Sequence, residues 1–171
     1  SDSYGIGELA TRRLIDDGCS RILCLRNNSR MRMPANKRTD AYHDIVEQAG
    51  LPALVREVEF VKSDDEKSAV VAKILDENPD IDGIFAGDDT MAAICLNVMK
   101  RRGLSAPDDI KVVGADGARR TMTFMPDLTT VRQDIDRIGE LAAQSIIALV
   151  NGEKPESNTK LPVELIEGKT A

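Results

Sequence analysis

At 171 residues, with 42% hydrophobic and 30% charged residues, the chain has the length and composition of one soluble domain or two small lobes. A formal net charge of -6, from 29 acidic against 23 basic residues, argues against direct contact with a phosphate backbone. Only 3% of residues are aromatic, with no Trp, which excludes a stacking platform for single-stranded nucleic acid, and no apolar run approaches the roughly 18 residues of a membrane span.

The periodicity predicts a first helix over Tyr4 to Asp17, with Ile6, Leu9, Ala10 and Leu14 on one face and Gly18 past its end. A short strand, Arg21 to Leu25, follows. A polar loop over Arg26 to Asn36 leads to a second helix, Ala35 to Ala49. Strand-like Leu54 to Val61 precedes a helix over Asp64 to Glu77. Strand Ile81 to Ala86, helix Thr90 to Arg102 and strand Ile110 to Gly114 complete the regular alternation. That alternation is the pattern of a parallel sheet covered by helices on both faces, in which ligands sit at the carboxyl ends of the strands.

After Asp116 the pattern changes. A loop carrying Arg119, Arg120 and Pro126 precedes strand Leu128 to Val131, and one long helix covers Ile135 to Val150. Its apolar residues lie on nearly all sides, so it wants burial on more than one face. In isolation it would expose an apolar patch, and self-association or displacement of the helix is the expectation. A polar linker from Asn151 leads to the last strand, Leu161 to Ile166, where Pro162 points to an edge or a strand entry. The cysteines, Cys19, Cys24 and Cys95, show no C-x-x-C spacing and read as reduced thiols of a cytosolic protein, with Cys24 and Cys95 buried.

Four stretches resemble the LacI/GalR (lactose-repressor-type) family. They are Asp2-x-x-Gly5-x-x-x-Leu9-Ala10-x-x-x-Leu14-Ile15-x-x-Gly18, Gly87-Asp88-Asp89-Thr90-Met91-Ala92, Pro107-Asp108-Asp109-Ile110-Lys111-Val112-Val113-Gly114-Ala115-Asp116, and Pro126-Asp127-Leu128-Thr129-Thr130-Val131-Arg132-Gln133. The closing Leu161 to Ile166 also fits. The stretches run in order over essentially the whole chain. Departures are Ala115 in place of an aromatic residue, Asp88 in place of Asn, Gly117 in place of Asp, and Ala41 in place of Gly.

The resemblance implies an α/β fold, a parallel sheet flanked by helices of the periplasmic binding protein-like type I, and of that only the second lobe. On that basis residues 1–131 are the second lobe of an effector-binding domain. Residues 132–152 are a crossover helix for a first lobe that this chain lacks, and 153–171 are a linker and returning strand. The implied partners are a small-molecule effector, operator DNA through a headpiece absent from this chain, and a second copy in a homodimer. The expected setting is the cytoplasm, with no membrane contact and no cofactor. The rival within the fold is a periplasmic sugar-binding receptor of an ABC transporter.

Carried over position by position, the effector contacts are Asp2, Arg38, Asp88, Asp116 and Gln133. Arg32 joins them from its spacing to Arg38, and Phe60 as a ring at a strand end. Each has a plainer reading. Asp2 can cap the first helix. Of Asp88 and Asp89, Asp89 is the better cap and Asp88 the better contact. Asp116 can serve a turn, and Gln133 can satisfy backbone groups at the crossover. Arg38 near a helix start sits badly with the helix dipole unless an anionic or hydroxyl-rich partner meets it. Arg26, Arg30, Arg32, Lys37 and Arg38 lean toward an acidic or phosphorylated ligand. Asp88 and Asp116 instead suit hydroxyl donors, and a sugar acid or sugar phosphate would use both sets.

Catalysis is disfavoured. Gly87-Asp88-Asp89 resembles an acidic Mg²⁺ site, but the place where a phosphatase carries its nucleophile reads Arg26-Asn27-Asn28. His43, the only histidine, has no G-x-S-x-G partner, and no metal-ligand cluster or Gly-rich phosphate loop is present.

Overall fold

The computed structural model describes residues 1–28, 36–59, 62–155 and 160–171. The elements in chain order are α1 (Ser3–Asp16), β1 (Ile22–Asn28), α2 (Asn36–Gln48), β2 (Leu54–Glu59), α3 (Asp64–Glu77), β3 (Gly83–Ala86), α4 (Asp89–Arg101), β4 (Lys111–Asp116), α5 (Arg119–Phe124), β5 (Thr129–Gln133), α6 (Ile135–Val150) and β6 (Val163–Ile166). They form one six-stranded sheet of order β2-β1-β3-β4-β5-β6. Strands β1 to β5 are parallel, and β6 pairs antiparallel with β5 at the edge, where Pro162 costs no ladder hydrogen bond.

The two faces of the sheet follow from the alternation of side chains along each strand. Ile22, Cys24, Phe85, Val113 and Ala115 point to one side and meet Ile6, Ala10 and Leu14 of α1 and Tyr42 and Val46 of α2. Leu23, Leu25, Ile84, Ala86 and Val112 point to the other and meet Val71, Ile74 and Leu75 of α3 and Met91, Cys95 and Val98 of α4. Tyr42 ties the first layer to the sheet: its buried hydroxyl donates to Ile22 O at 2.7 Å and accepts from Leu54 N at 2.8 Å. Cys19, Cys24 and Cys95 are free and buried. Burial pushes the thiols of Cys24 and Cys95 up to about 12, which makes them inert apolar filling.

Several expected boundaries shift for local reasons. Ile81 and Asp82 precede β3 instead of opening it, because the Asp82 carboxylate accepts from Ser20 N, Ser20 Oγ and Arg21 N at 2.7 to 2.9 Å and ties the chain to the α1–β1 turn. Arg119 and Arg120, expected in a loop, begin the short helix α5. Strand β4 runs two residues further than expected, to Asp116.

Helix α6 has the expected span, and none of its residues is buried. Ile146 and Leu149 are each 62% exposed and Val150 80%. At concentrations high enough for spectroscopy the chain is expected to self-associate through this face. Light scattering should then show a mass that rises with concentration, and Ile146→Lys with Leu149→Lys should abolish the rise. A monomer at every concentration, with α6 ordered by hydrogen exchange, would overturn the expectation.

Candidate functional site

The strand order has one reversal of direction, between β1 and β3, and in an open α/β sheet the crevice at such a point, outside the carboxyl ends of the strands, is where ligands bind. The polar residues converge there. Asn27, near the end of β1, donates from Nδ2 to Asp88 Oδ2 across the switch point. Arg38, in the first turn of α2, reaches under them. Its Nη1 donates to Gly87 O at 2.5 Å and its Nη2 to Asp116 Oδ1 at 2.7 Å. Gln133, the last residue of β5, donates from Nε2 to the same Asp116 oxygen. Side chains from α2, β1, β4, β5 and the β3–α4 junction therefore form one connected polar cluster at one end of the sheet.

Asp116 adopts φ 100°, the one positive φ at a non-glycine residue among those described. A non-glycine residue held there costs on the order of 1 to 3 kcal/mol and persists only where its surroundings over-determine it. Gly117 follows at φ 58°, and a Cβ there would meet Arg132 Cβ at 2.6 Å and Cα at 2.7 Å, so a side chain is excluded. The turn thus aims Asp116 inward at Arg38 instead of along the strand.

The Arg38 difficulty raised by its sequence position has a structural answer. The guanidinium is paired with Asp116, and its side chain is 13% exposed, so the partner it lacked is supplied by the chain itself. Some capacity is left over. Arg38 Nε and Asn27 Oδ1 are buried without a hydrogen-bond partner among the described residues. No hydrogen bond is made to Asp116 Oδ2 among them either, and that side chain is about one-third exposed.

The two neighbouring acids take the reverse of their expected capping roles. Asp88 is the N-cap of α4, in extended conformation (φ -153°, ψ 167°), with Oδ1 accepting from Met91 N at 2.8 Å. Asp89 lies inside the first turn and is 3% exposed. Its Oδ1 accepts from Thr130 Oγ1 at 2.6 Å. Both can cap by residue type, and the end of β3 decides which one stands outside the helix.

Asp2 caps α1, accepting from Gly5 N at 2.8 Å, and pairs with Lys160 at 2.7 Å. Burial pushes its carboxyl up, but the Lys160 and Gly5 hydrogen bonds outweigh that and leave it below the usual range. Its partners lie outside the Arg38 cluster. Arg32 and Phe60 fall outside the described residues. Asn27 is a site residue that no sequence motif singled out; its position at a strand end beside the reversal was the available signal. His43 is exposed. Beyond the Gly117 turn runs an open groove of about 880 Å³, lined by Arg119, Arg132, Gln133, Asp136 and Glu164 among others. Of the candidate contacts it includes Gln133 alone. Among the described residues no group of three or more His, Cys, Asp or Glu could hold a metal ion, and no helix is long and apolar enough to cross a membrane.

Comparison with known proteins shows the family of the fold. The family model described as a periplasmic binding protein-like domain matches residues 11–171. The chain belongs to the periplasmic binding protein-like domain family, in its LacI/GalR regulator branch. A ribose operon repressor of Halalkalibacterium halodurans is 32% identical over 165 residues, covering 95% of this chain and 48% of that protein. A sucrose operon repressor of Pediococcus pentosaceus is 31% identical over 173 residues, covering 100% and 53%. Among solved structures, a LacI-family regulator from Corynebacterium glutamicum superposes with a TM-score of 0.87 at 26% identity, over 99% of this chain and 65% of that one. A CelR–cellobiose complex superposes with a TM-score of 0.86 at 28% identity, over 99% and 52%. This LacI/GalR-type chain spans about half the length of the curated relatives it matches. The named relatives are repressors and regulators, not enzymes.

Proposed function

We propose that this chain is the second lobe of the effector-sensing domain of a LacI/GalR-type regulator, and that it takes a small hydroxyl-rich metabolite at the carboxyl ends of β1, β3 and β4. The observation that carries the reading is the Arg38–Asp116–Gln133 cluster at the strand-order reversal, with the second oxygen of the part-exposed Asp116 carboxylate left over. Because Arg38 already has its anion, a neutral sugar suits the described residues better than an acidic or phosphorylated one. Hydroxyls can donate to Asp116 Oδ2, on a side chain about one-third exposed, while Arg38 and Gln133 hold the other carboxylate oxygen. Asp88 and Gln133 are bonded into this contact set, and Asp2, Arg32 and Phe60 are proposed as further contacts on the family resemblance alone. The relatives' names, ribose and sucrose operon repressors and a regulator with cellobiose bound, support a saccharide.

In this reading the exposed face of α6 packs on a first lobe carried by the remainder of the protein, and the effector bridges both lobes. The protein acts in the cytoplasm as a homodimer, on operator DNA, through a headpiece elsewhere in its length. The effector favours one lobe orientation, and that differential affinity is what changes DNA binding. Catalysis has no part in it. A periplasmic receptor reading has less support, since the named relatives are regulators.

The test is a set of ¹H–¹⁵N spectra of the 171-residue chain with D-ribose, sucrose, cellobiose, gluconate and ribose 5-phosphate. Millimolar binding by at least one neutral sugar is expected, with amide shifts confined to Asn27, Arg38, Gly87 to Asp89 and Asp116 to Ala118. Asp116→Ala should weaken it by roughly 10- to 100-fold, the value of hydrogen bonds to a charged group. Micromolar binding by this chain alone would contradict the half-cleft reading. Shifts scattered away from the strand ends, or none with any compound, would remove the proposed site.

A further inference from the structure

Asn151-Gly152 is the one Asn-Gly step in the sequence, and it falls where α6 ends. Asn151 is the C-cap of the helix, exposed, at φ -78° and ψ 0°, and Gly152 follows at φ 76°. A glycine after asparagine leaves its backbone nitrogen unshielded by any Cβ, so that nitrogen can reach the neighbouring carboxamide carbon and close a five-membered ring. Other asparagines show what is missing elsewhere. Asn78 precedes Pro79, which has no N–H to give up, and its Nδ2 is held by Ile74 O at 2.8 Å. Asn97 sits inside α4, ahead of the buried and β-branched Val98. Asn27 is tied to Asp88 within β1.

We propose that Asn151 is a site of spontaneous cyclisation and hydrolysis, gated by the last turn of α6. In the step, Gly152 N loses its proton and attacks Asn151 Cγ. The Cγ–Nδ2 bond breaks, and that nitrogen takes up the proton and leaves as ammonia. Water then adds to one of the two carbonyls of the succinimide ring and opens it, giving aspartate or isoaspartate. Water is the sole co-reactant. The site rests on the chain's own geometry and stands independently of the function proposed above.

The closed helix end holds the step back. Gly152 N donates to Leu149 O at 3.1 Å, and Glu153 N donates to Ala148 O at 2.8 Å, so the attacking nitrogen is committed to the helix until this turn opens. No residue of α6 is buried to anchor that end, and its opening is a low-cost local event. The product is a carboxylate one turn after Ile147, which is 59% exposed on the apolar side of the helix. The new charge stands at the negative end of the helix dipole, and the last turn has no basic residue to offset it. It therefore loosens the helix end further. It also opposes any contact that covers this face, because the charge would be buried with it.

The experiment incubates the 171-residue chain in mildly alkaline buffer and follows residues 141–153 by mass spectrometry, as the peptide released by cleavage after glutamate. Asn151 is the one asparagine in that peptide. Two products of equal mass should accumulate and separate by chromatography, each heavier than the parent by the exchange of NH2 for OH. Asn151→Gln should abolish the change, since the larger ring closes far more slowly. Ala148→Pro breaks the helix ladder one turn earlier and should speed the loss of asparagine by roughly five- to tenfold. Neither position belongs to the buried core, so both variants keep the sheet. The modified chain, separated from its parent by charge, should show a smaller rise of mass with concentration in light scattering. An Asn151 that stays intact in the chain, under conditions that convert the free peptide 141–153, would overturn the proposal. An equal rate in Ala148→Pro would overturn the gate.

Discussion

Gly7→Ala should cost about 2 kcal/mol in urea unfolding and should also pull the Arg38 cluster apart. A Cβ at this position of α1 would stand 2.1 Å from Arg38 O, 2.8 Å from its carbonyl carbon and 2.9 Å from its Cα. All three are backbone atoms, so no rotamer change relieves the clash. Helix α1 cannot back away easily, because Ile6, Ala10 and Leu14 on either side of Gly7 are fully buried against the sheet. Helix α2 is pinned from Ala41 onward by Ala41, Tyr42, Ile45 and Val46, whereas Arg38 itself is only part-buried, so the start of α2 is what moves. Overpacking of this kind costs roughly 1 to 3 kcal/mol, occasionally more, and the gain of about 1 kcal/mol from replacing a helical glycine offsets part of it. An ångström of displacement at Arg38 is enough to open the contacts to Gly87 O and Asp116, so the amide shifts at Asp116 should change with stability. Gly139→Ala on α6, where a Cβ meets nothing within 4 Å, is the control and should be neutral or stabilising by up to about 1 kcal/mol. A Gly7→Ala chain as stable as the natural one would mean that α1 and α2 do not approach as closely as described.

This contact marks what the sequence could and could not convey. Helix α6 was legible to the residue, since a sixteen-residue apolar pattern between Asp134 and Asn151 leaves no other assignment. The sheet and its two covering layers were legible for the same reason, through the alternation of strand-like and helix-period segments. Arg38 was legible as a residue in need of a partner, but the partner stands 78 residues away and depends on a positive φ at Asp116 that no local rule assigns to aspartate. The reversal of Asp88 and Asp89 has the same origin. Either acid can cap, and the choice rests on Thr130 and on the recess beside Gly114, where a Cβ would stand 2.6 Å from Asp89 Oδ1; these come from β5 and β4 and are invisible to a local reading. Helix α5 escaped because six residues without a side-chain cap carry no periodic signal.

The larger consequence of that recess is a stability profile of unusual sign. Asp89 is 3% exposed, and burial raises its carboxyl from 3.8 to about 6. A carboxyl whose folded pKa is raised holds its proton more tightly folded than unfolded, so its contribution to stability is greatest below about 3.8 and is lost as the pH rises through about 6. Above that range the charged form costs roughly 2 to 3 kcal/mol, since each tenfold change in proton affinity is worth about 1.4 kcal/mol. Asp2, Glu66 and Asp109 have the opposite sign, since their carboxyls are lowered and contribute stability that is lost toward acid. The sum is therefore flattened, and the difference between the natural chain and Asp89→Asn isolates the buried acid. Urea unfolding across this range should show the natural chain losing roughly 2 to 3 kcal/mol relative to Asp89→Asn between acid and neutral pH, with no further change above about 7. The asparagine chain should then be the more stable at neutral pH, because it fills the same space without a charge to bury. A difference that stays flat with pH would mean that the Asp89 charge is solvated or compensated, and burial would not then govern its titration.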